Sequence, residues 1–230
     1  MLLYGLVIKF PLFLHPVALH TNPDDAYLYR GILNFIAPAI ERAPLVSSVL
    51  AFLLFFAEAT LLNRMVNALK LFPRPNYLTG MAYMLLSSMM YDWGGLSAPL
   101  LLNLLLIWIW YLLVKLAGNS SPKSAIFNIA VITGILPLIY APALVYVLLL
   151  LIALLIVRSP SVTEVLVALI GIATPYYFFS VILYLTDQWT ADKLLPSFSF
   201  YLPRMPASLW ISGAILLLLI PFLMGGYFIQ

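Results

Sequence analysis

Leu100-Leu101-Leu102-Asn103-Leu104-Leu105-Leu106-Ile107-Trp108-Ile109-Trp110-Tyr111-Leu112-Leu113 is an almost unbroken apolar run, and Leu144 to Val157 is a second. Neither alternates polar with apolar residues as a barrel strand must, so both read as helices. The rest of the chain agrees. Of its 230 residues, 64% are hydrophobic and only 8% charged, with a mean hydropathy of +1.08. A soluble domain is nearer a quarter charged and could not hide this much apolar surface. Lipid is therefore the expected solvent. It offers no hydrogen-bond partners, so spanning segments must satisfy their own backbone groups as helices.

At about 15 to 22 residues per crossing, the hydropathy pattern predicts eight helices, near 2–19, 46–63, 77–91, 97–116, 124–140, 142–157, 163–185 and 208–228. The expected fold class is an all-α polytopic membrane bundle, one transmembrane domain over 1–230. The first run, Leu2 to Leu19, is interrupted by Lys9 and Pro11 and lacks a basic leader, so it reads as a retained helix. The weakest junction is Tyr140-Ala141-Pro142, the one turn signal inside a long apolar stretch.

Basic residues set the orientation. With the N-terminus inside, the inner loops hold Arg64, Lys70, Arg74, Lys115, Lys123 and Arg158 against one acid, Glu164. The outer loops, about 20–45, 92–96 and 186–207, hold Asp24, Asp25, Glu41, Asp92, Asp187 and Asp192, together with Arg30, Arg42, Lys193 and Arg204. Both termini are thus expected inside. No basic run suggests nucleic acid, and the absence of cysteine excludes disulfides and thiolate chemistry.

Punctuation supports the boundaries. Ser121-Pro122 and Ser159-Pro160 read as an N-cap followed by proline at the first helical position, and Ser161 to Glu164 fits a capping box. Pro175 predicts a kink in the seventh span, since proline removes a backbone donor.

Polar chemistry concentrates in the first outer loop, His15-Pro16-Val17-Ala18-Leu19-His20-Thr21-Asn22-Pro23-Asp24-Asp25. Adjacent carboxylates there can serve as a general base or hold a divalent cation, with His15 or His20 as further ligands. The same residues also fit a helix start, with Asn22 as N-cap and Pro23 in the first position. Residues 26 to 44 follow as an amphipathic surface helix carrying Tyr27, Tyr29, Phe35 and Ile36. Asp92 sits in a short glycine turn on the same face. Lys193, Arg204 and Arg30 are candidates for holding a phosphate or lipid headgroup. Glu58, the clearest ionisable residue within a span, is expected to snorkel toward the inner edge near Arg64. Asn103, Asn128, Thr133 and Thr174 are expected to bond between helices.

Two resemblances follow from these residues. The run Ser121-Pro122-Lys123-Ser124 through Ile135-Leu136-Pro137-Leu138-Ile139-Tyr140-Ala141-Pro142, with Arg158 and Gly171-Ile172-Ala173-Thr174-Pro175-Tyr176-Tyr177, resembles a family of uncharacterised multi-pass inner-membrane proteins of Bacteroidetes. The acidic pair in the first outer loop, the surface helix after it and the acid in the second outer loop resemble the C-superfamily membrane glycosyltransferases. That likeness implies a polyprenyl-phosphate sugar donor at the outer face of the bacterial inner membrane. It further implies Asp24 or Asp25 as base or metal ligand, Asp92 as the second-loop acid, and Arg204 or Lys193 on the lipid phosphate.

Two other classes compete. A non-catalytic subunit would pack its helices against a partner membrane protein, and its loop acids would scatter. A lipid or solute transporter would show a polar cavity near the midplane.

Overall fold

A computed structural model of the chain describes residues 1–16, 21–89, 94–116, 122–157, 161–190 and 193, all within one compact unit, Met1–Phe198. Regular structure among them is helical, apart from one isolated bridge between Asp25 and Tyr140. The helices are α1 (Leu2–Ile8), α2 (Phe10–Leu14), α3 (Tyr27–Arg42), α4 (Leu45–Ala68), α5 (Leu78–Leu86), α6 (Ala98–Leu116), α7 (Pro122–Ile139), α8 (Val145–Val157) and α9 (Val162–Leu185). Four of these, α4, α6, α7 and α9, are long and apolar enough to cross a membrane. The chain therefore has the make-up of a membrane protein. The eighth expected crossing, 208–228, lies outside the described residues.

Several expected spans differ in detail. The first is broken: Lys9 ends α1 and begins α2, with Pro11 in the first turn of the new helix. Proline cannot donate to the preceding turn, so the helix is interrupted where the sequence also places a charge. The third, α5, is only nine residues long. The second runs farther than expected, through Ala68.

At the weak junction, Tyr140 is extended (φ −144°, ψ 117°) and a 3-10 turn, Ala141–Leu144, precedes α8. Residues 124–157 are thus two helices. The physical cause is Pro142, which cannot continue the ladder of α7. The capping box forms as read: Ser161 accepts from the Glu164 amide, and the Glu164 side chain accepts from the Ser161 amide. Helix α9 accordingly starts at Val162. Ser121, Ser159 and Pro160 lie outside the described residues. The helix continues through Pro175, which is buried.

Helix α7 is the most enclosed of the four long helices, with 50% of its most apolar stretch inside the protein against 22% for α9. It meets α9 at two glycines, Gly134 and Gly171. Such close approach is how helices associate in lipid, where burial of apolar surface supplies little drive. One apolar cluster gathers α2–α6 around Phe52, Phe55, Tyr29 and Met84, and a second joins α6–α9 around Ile109, Ile126, Ile129 and Leu150. Leu138, Phe179 and Leu183 form a third, onto which Tyr27 and Leu28 of α3 pack. That third cluster docks the first loop onto α7 and α9.

Thr133 and Thr174 do not bridge helices. Each bonds the carbonyl four residues back in its own helix, Ile129 and Ile170, at 2.9 and 2.7 Å. This intrahelical alternative is open to any threonine in a helix. Asn128 is exposed.

Candidate functional site

The Asp pair belongs to a tight turn rather than to a helix start. The Asp25 amide donates to the Asn22 carbonyl (3.1 Å), and the Asn22 amide donates to Asp25 Oδ2 (2.7 Å). Helix α3 begins only afterwards, with Ala26 in the N-cap position and no side-chain cap. The expected Asn22 cap is therefore replaced by a turn that Asp25 closes on itself.

This turn is held by the break between α7 and α8. The Ala26 amide donates to the Ile139 carbonyl (3.1 Å), and the Ala141 amide donates to the Asp24 carbonyl (3.0 Å). Backbone groups freed where a helix stops must find partners elsewhere, and here the first loop supplies them. Tyr140, between the two bonds, feels both carboxylates; burial first, then the Asp24 and Asp25 charges, push its hydroxyl up.

The two aspartates face different surroundings. Asp25 is 3% exposed, and its Oδ1 has no hydrogen-bond partner among the described residues. Burial pushes its carboxyl up, against the opposing pull of the Asn22 amide and Arg30; the Asp24 charge adds to the rise. Asp24 is half-buried and within reach of solvent. Arg30 is exposed and donates to the Pro23 carbonyl at 3.2 Å, so it closes the turn from outside.

Beside the turn, α3 and α9 enclose an open apolar groove of about 300 Å³, lined by Tyr27, Leu28, Gly31, Ile32, Phe35 and Phe179. Tyr27 and Phe179 pack ring against ring with centroids 5.7 Å apart. Lys193 lies at the Tyr27 end. Its Nζ stands 4.8 Å over the Tyr27 ring and donates to the Gln188 carbonyl (2.9 Å), while the Tyr27 hydroxyl donates to Gln188 Oε1. One tyrosine thus lines the groove, carries the cation over its face and opens the helix that follows the Asp pair.

Of the residues singled out in the sequence, Asp24, Asp25 and Arg30 come together in this turn, and Lys193 joins them through Tyr27. Asp92, Arg204 and His20 lie outside the described residues. His15 is exposed at the end of α2. No group of three or more His, Asp and Glu side chains among the described residues could hold a metal ion. A hard divalent cation takes about six oxygen ligands, and the turn offers two carboxylates, one committed to Asn22.

A second polar centre was not legible as such. Glu58 of α4 is 0% exposed and does not reach the helix end. Helix α4 runs ten residues beyond it, roughly 15 Å at the usual rise, too far for a glutamate to snorkel. Its Oε2 instead accepts from the Tyr83 hydroxyl of α5 and from Asn103 Nδ2 of α6 (3.3 Å), and Asn103 Nδ2 also donates to the Tyr83 oxygen (2.8 Å). Lys9 turns inward at the α1–α2 break, 3% exposed, and interacts electrostatically with Glu58. The available signal was the isolation of Lys9, Glu58 and Asn103 in apolar runs, where an unpaired charge is too costly to keep.

No protein-family model, no curated protein and no solved structure matches the chain.

Proposed function

We propose that the protein is a multi-pass protein of the bacterial inner membrane, with eight crossings and both termini inside, that acts as a glycosyltransferase on a polyprenyl-phosphate-linked sugar at the outer face. The observation that carries this reading is the apolar groove between α3 and α9, with a lysine ammonium at one end and a carboxylate pair on the adjoining turn. A lipid phosphate demands that combination: an apolar trough for the chain and a cation for the headgroup.

In this mechanism the polyprenyl chain lies along Gly31, Ile32 and Phe35, and Lys193 neutralises the phosphate. Arg204 is the second candidate from the sequence for that role, and Asp92 a further acid. An acceptor hydroxyl oxygen bonds to the anomeric carbon as the bond from that carbon to the phosphate oxygen breaks. The hydroxyl proton passes to Asp24, the more accessible carboxylate, and the polyprenyl phosphate leaves with the bonding electron pair. Asp25, held inward by Asn22, positions the turn.

The test uses the full chain in nanodiscs with a photoreactive polyprenyl phosphate. The reading expects labelled peptides from α3 and α9, competition by polyprenyl-phosphate sugars, and release of polyprenyl phosphate when an acceptor is supplied. Asp24→Asn should abolish release and leave labelling intact. Labelling without release in the wild type would reduce the site to lipid binding, and absence of both would remove the reading.

A further inference from the structure

The Glu58 centre takes no part in the groove or the Asp turn, yet it is the most enclosed charge in the described protein. Glu58 sits inside α4, one of the four helices able to cross a membrane, with ten residues of helix after it and thirteen before it. Its surroundings come from every element packed there. Tyr83 reaches it from α5 and Asn103 from α6, both on Oε2. Lys9 approaches from the α1–α2 break, where its Nζ donates to the Ser87 carbonyl (3.0 Å) and lies 3.5 Å from the centre of the Phe55 ring. Tyr29 of α3 is also buried, but its hydroxyl donates to the Leu96 carbonyl (3.4 Å). Among the described residues, Lys9 and Tyr83 are thus the titratable groups that act on Glu58, and Asn103 does not titrate.

Two features separate this arrangement from a packing contact. Glu58 Oε1 has no hydrogen-bond partner among the described residues and is fully enclosed. An ionised carboxylate leaving one oxygen bare in such a place forfeits a stabilising bond, whereas a proton on that oxygen removes the charge itself. The counter-charge, Lys9, stands at a helix break, and broken helices beside buried charges are where membrane proteins build ion-binding sites.

We propose that Glu58 is an intramembrane proton-binding site that takes its proton on Oε1, with Lys9 as its counter-charge and with Tyr83 and Asn103 holding Oε2. The Lys9 ammonium stays on the Ser87 carbonyl and the Phe55 ring and acts on the carboxylate form as a nearby opposite charge; the acid form no longer feels that attraction. Proton uptake therefore removes an electrostatic attraction between α4 and the broken first helix. This function is independent of the groove and stands or falls separately from it.

The test is infrared difference spectroscopy of the full chain in lipid, titrated with pH. Wild type is expected to gain a carboxylic-acid carbonyl band on acidification that Glu58→Gln, nearly isosteric and able to keep the Tyr83 bond, abolishes. In Lys9→Met the same transition should move to higher pH, because removing a nearby positive charge favours the acid form. Tyr83→Phe, which removes a donor to the carboxylate, should move it in the same direction and keeps the test open if Lys9→Met does not fold. A Glu58 band that is absent throughout the titration, or present and unchanging, overturns the proposal. So does a transition that neither Lys9→Met nor Tyr83→Phe moves.

Discussion

Gly134 of α7 lies against Ile172 of α9 so closely that a Cβ on Gly134 would stand 2.5 Å from the Ile172 carbonyl oxygen and 3.1 Å from its Cα. The atoms it would meet are backbone, which cannot rotate away. One turn off, a Cβ on Gly171 would meet the Ala130 Cβ at 2.6 Å and the Phe127 carbonyl oxygen at 3.0 Å. Gly134→Ala is therefore expected to destabilise the protein by about 1–3 kcal/mol, the usual cost of overpacking, despite alanine's better helix propensity. Thermal unfolding in detergent checks this, and Gly134→Ala as stable as wild type would refute the close crossing.

Gly31 provides the opposite case. A Cβ there meets nothing within 4 Å, because the residue faces the α3–α9 groove. Gly31→Ala should stabilise α3 by up to about 1 kcal/mol through helix propensity. Gly31→Leu should fold as well as wild type and occupy the groove. Photolabelling by polyprenyl phosphate is then expected to fall severalfold in the leucine variant alone; equal labelling would place the lipid elsewhere.

The loop between α4 and α5 hangs on asparagines. Asn63 and Asn67, one turn apart on α4, both donate to the Asn76 carbonyl (3.0 and 2.9 Å), and Asn63 Oδ1 accepts from the Gly80 amide (3.3 Å). Asn63 is buried. Asn63→Ala would leave the Gly80 amide without that acceptor, and an unsatisfied buried group costs about 1–3 kcal/mol. The thermal midpoint should fall accordingly, with Asn67→Ala costing less because the Asn76 amide that loses its Oδ1 acceptor is only half-buried and can turn to water, whereas Gly80 is buried.

Asp25 carries a pH dependence whose sign is fixed by burial. Its folded carboxyl titrates above the ordinary value of 3.8, so the folded state holds the proton more tightly than the unfolded one. Stability from this group is present at low pH and is lost as pH rises from about 3.8 through the folded value. Asp25→Asn, which can still accept from the Asn22 amide, should raise the thermal midpoint at neutral pH and remove that part of the pH profile. A lower midpoint at neutral pH would mean that the ionised carboxylate is needed.

Lys193 binds Tyr27 through its ring and the Gln188 carbonyl, both at an exposed site. Lys193→Ala should leave stability within about 0.5 kcal/mol, as exposed substitutions do, and weaken retention of anionic over zwitterionic lipid in native mass spectrometry. Unchanged lipid selectivity would remove Lys193 from the headgroup site.

Composition and the uninterrupted runs at Leu100–Leu113 and Leu144–Val157 were enough to establish an all-helical chain for which lipid is the solvent, because apolar surface on that scale has nowhere else to go. Local chemistry was legible too: the Ser161–Glu164 capping box, the break at Pro142 and the amphipathic helix after the Asp pair each depend on residues close in sequence. Contacts between distant residues were not. That Asp25 closes a turn against Tyr140, that Tyr27 joins Lys193 to a groove, and that Glu58 meets Tyr83 and Asn103 depend on how helices cross. Side chains 25 to 166 residues apart carry no mark of one another in a single sequence, and only tertiary packing decides whether a buried charge is stranded or met by partners.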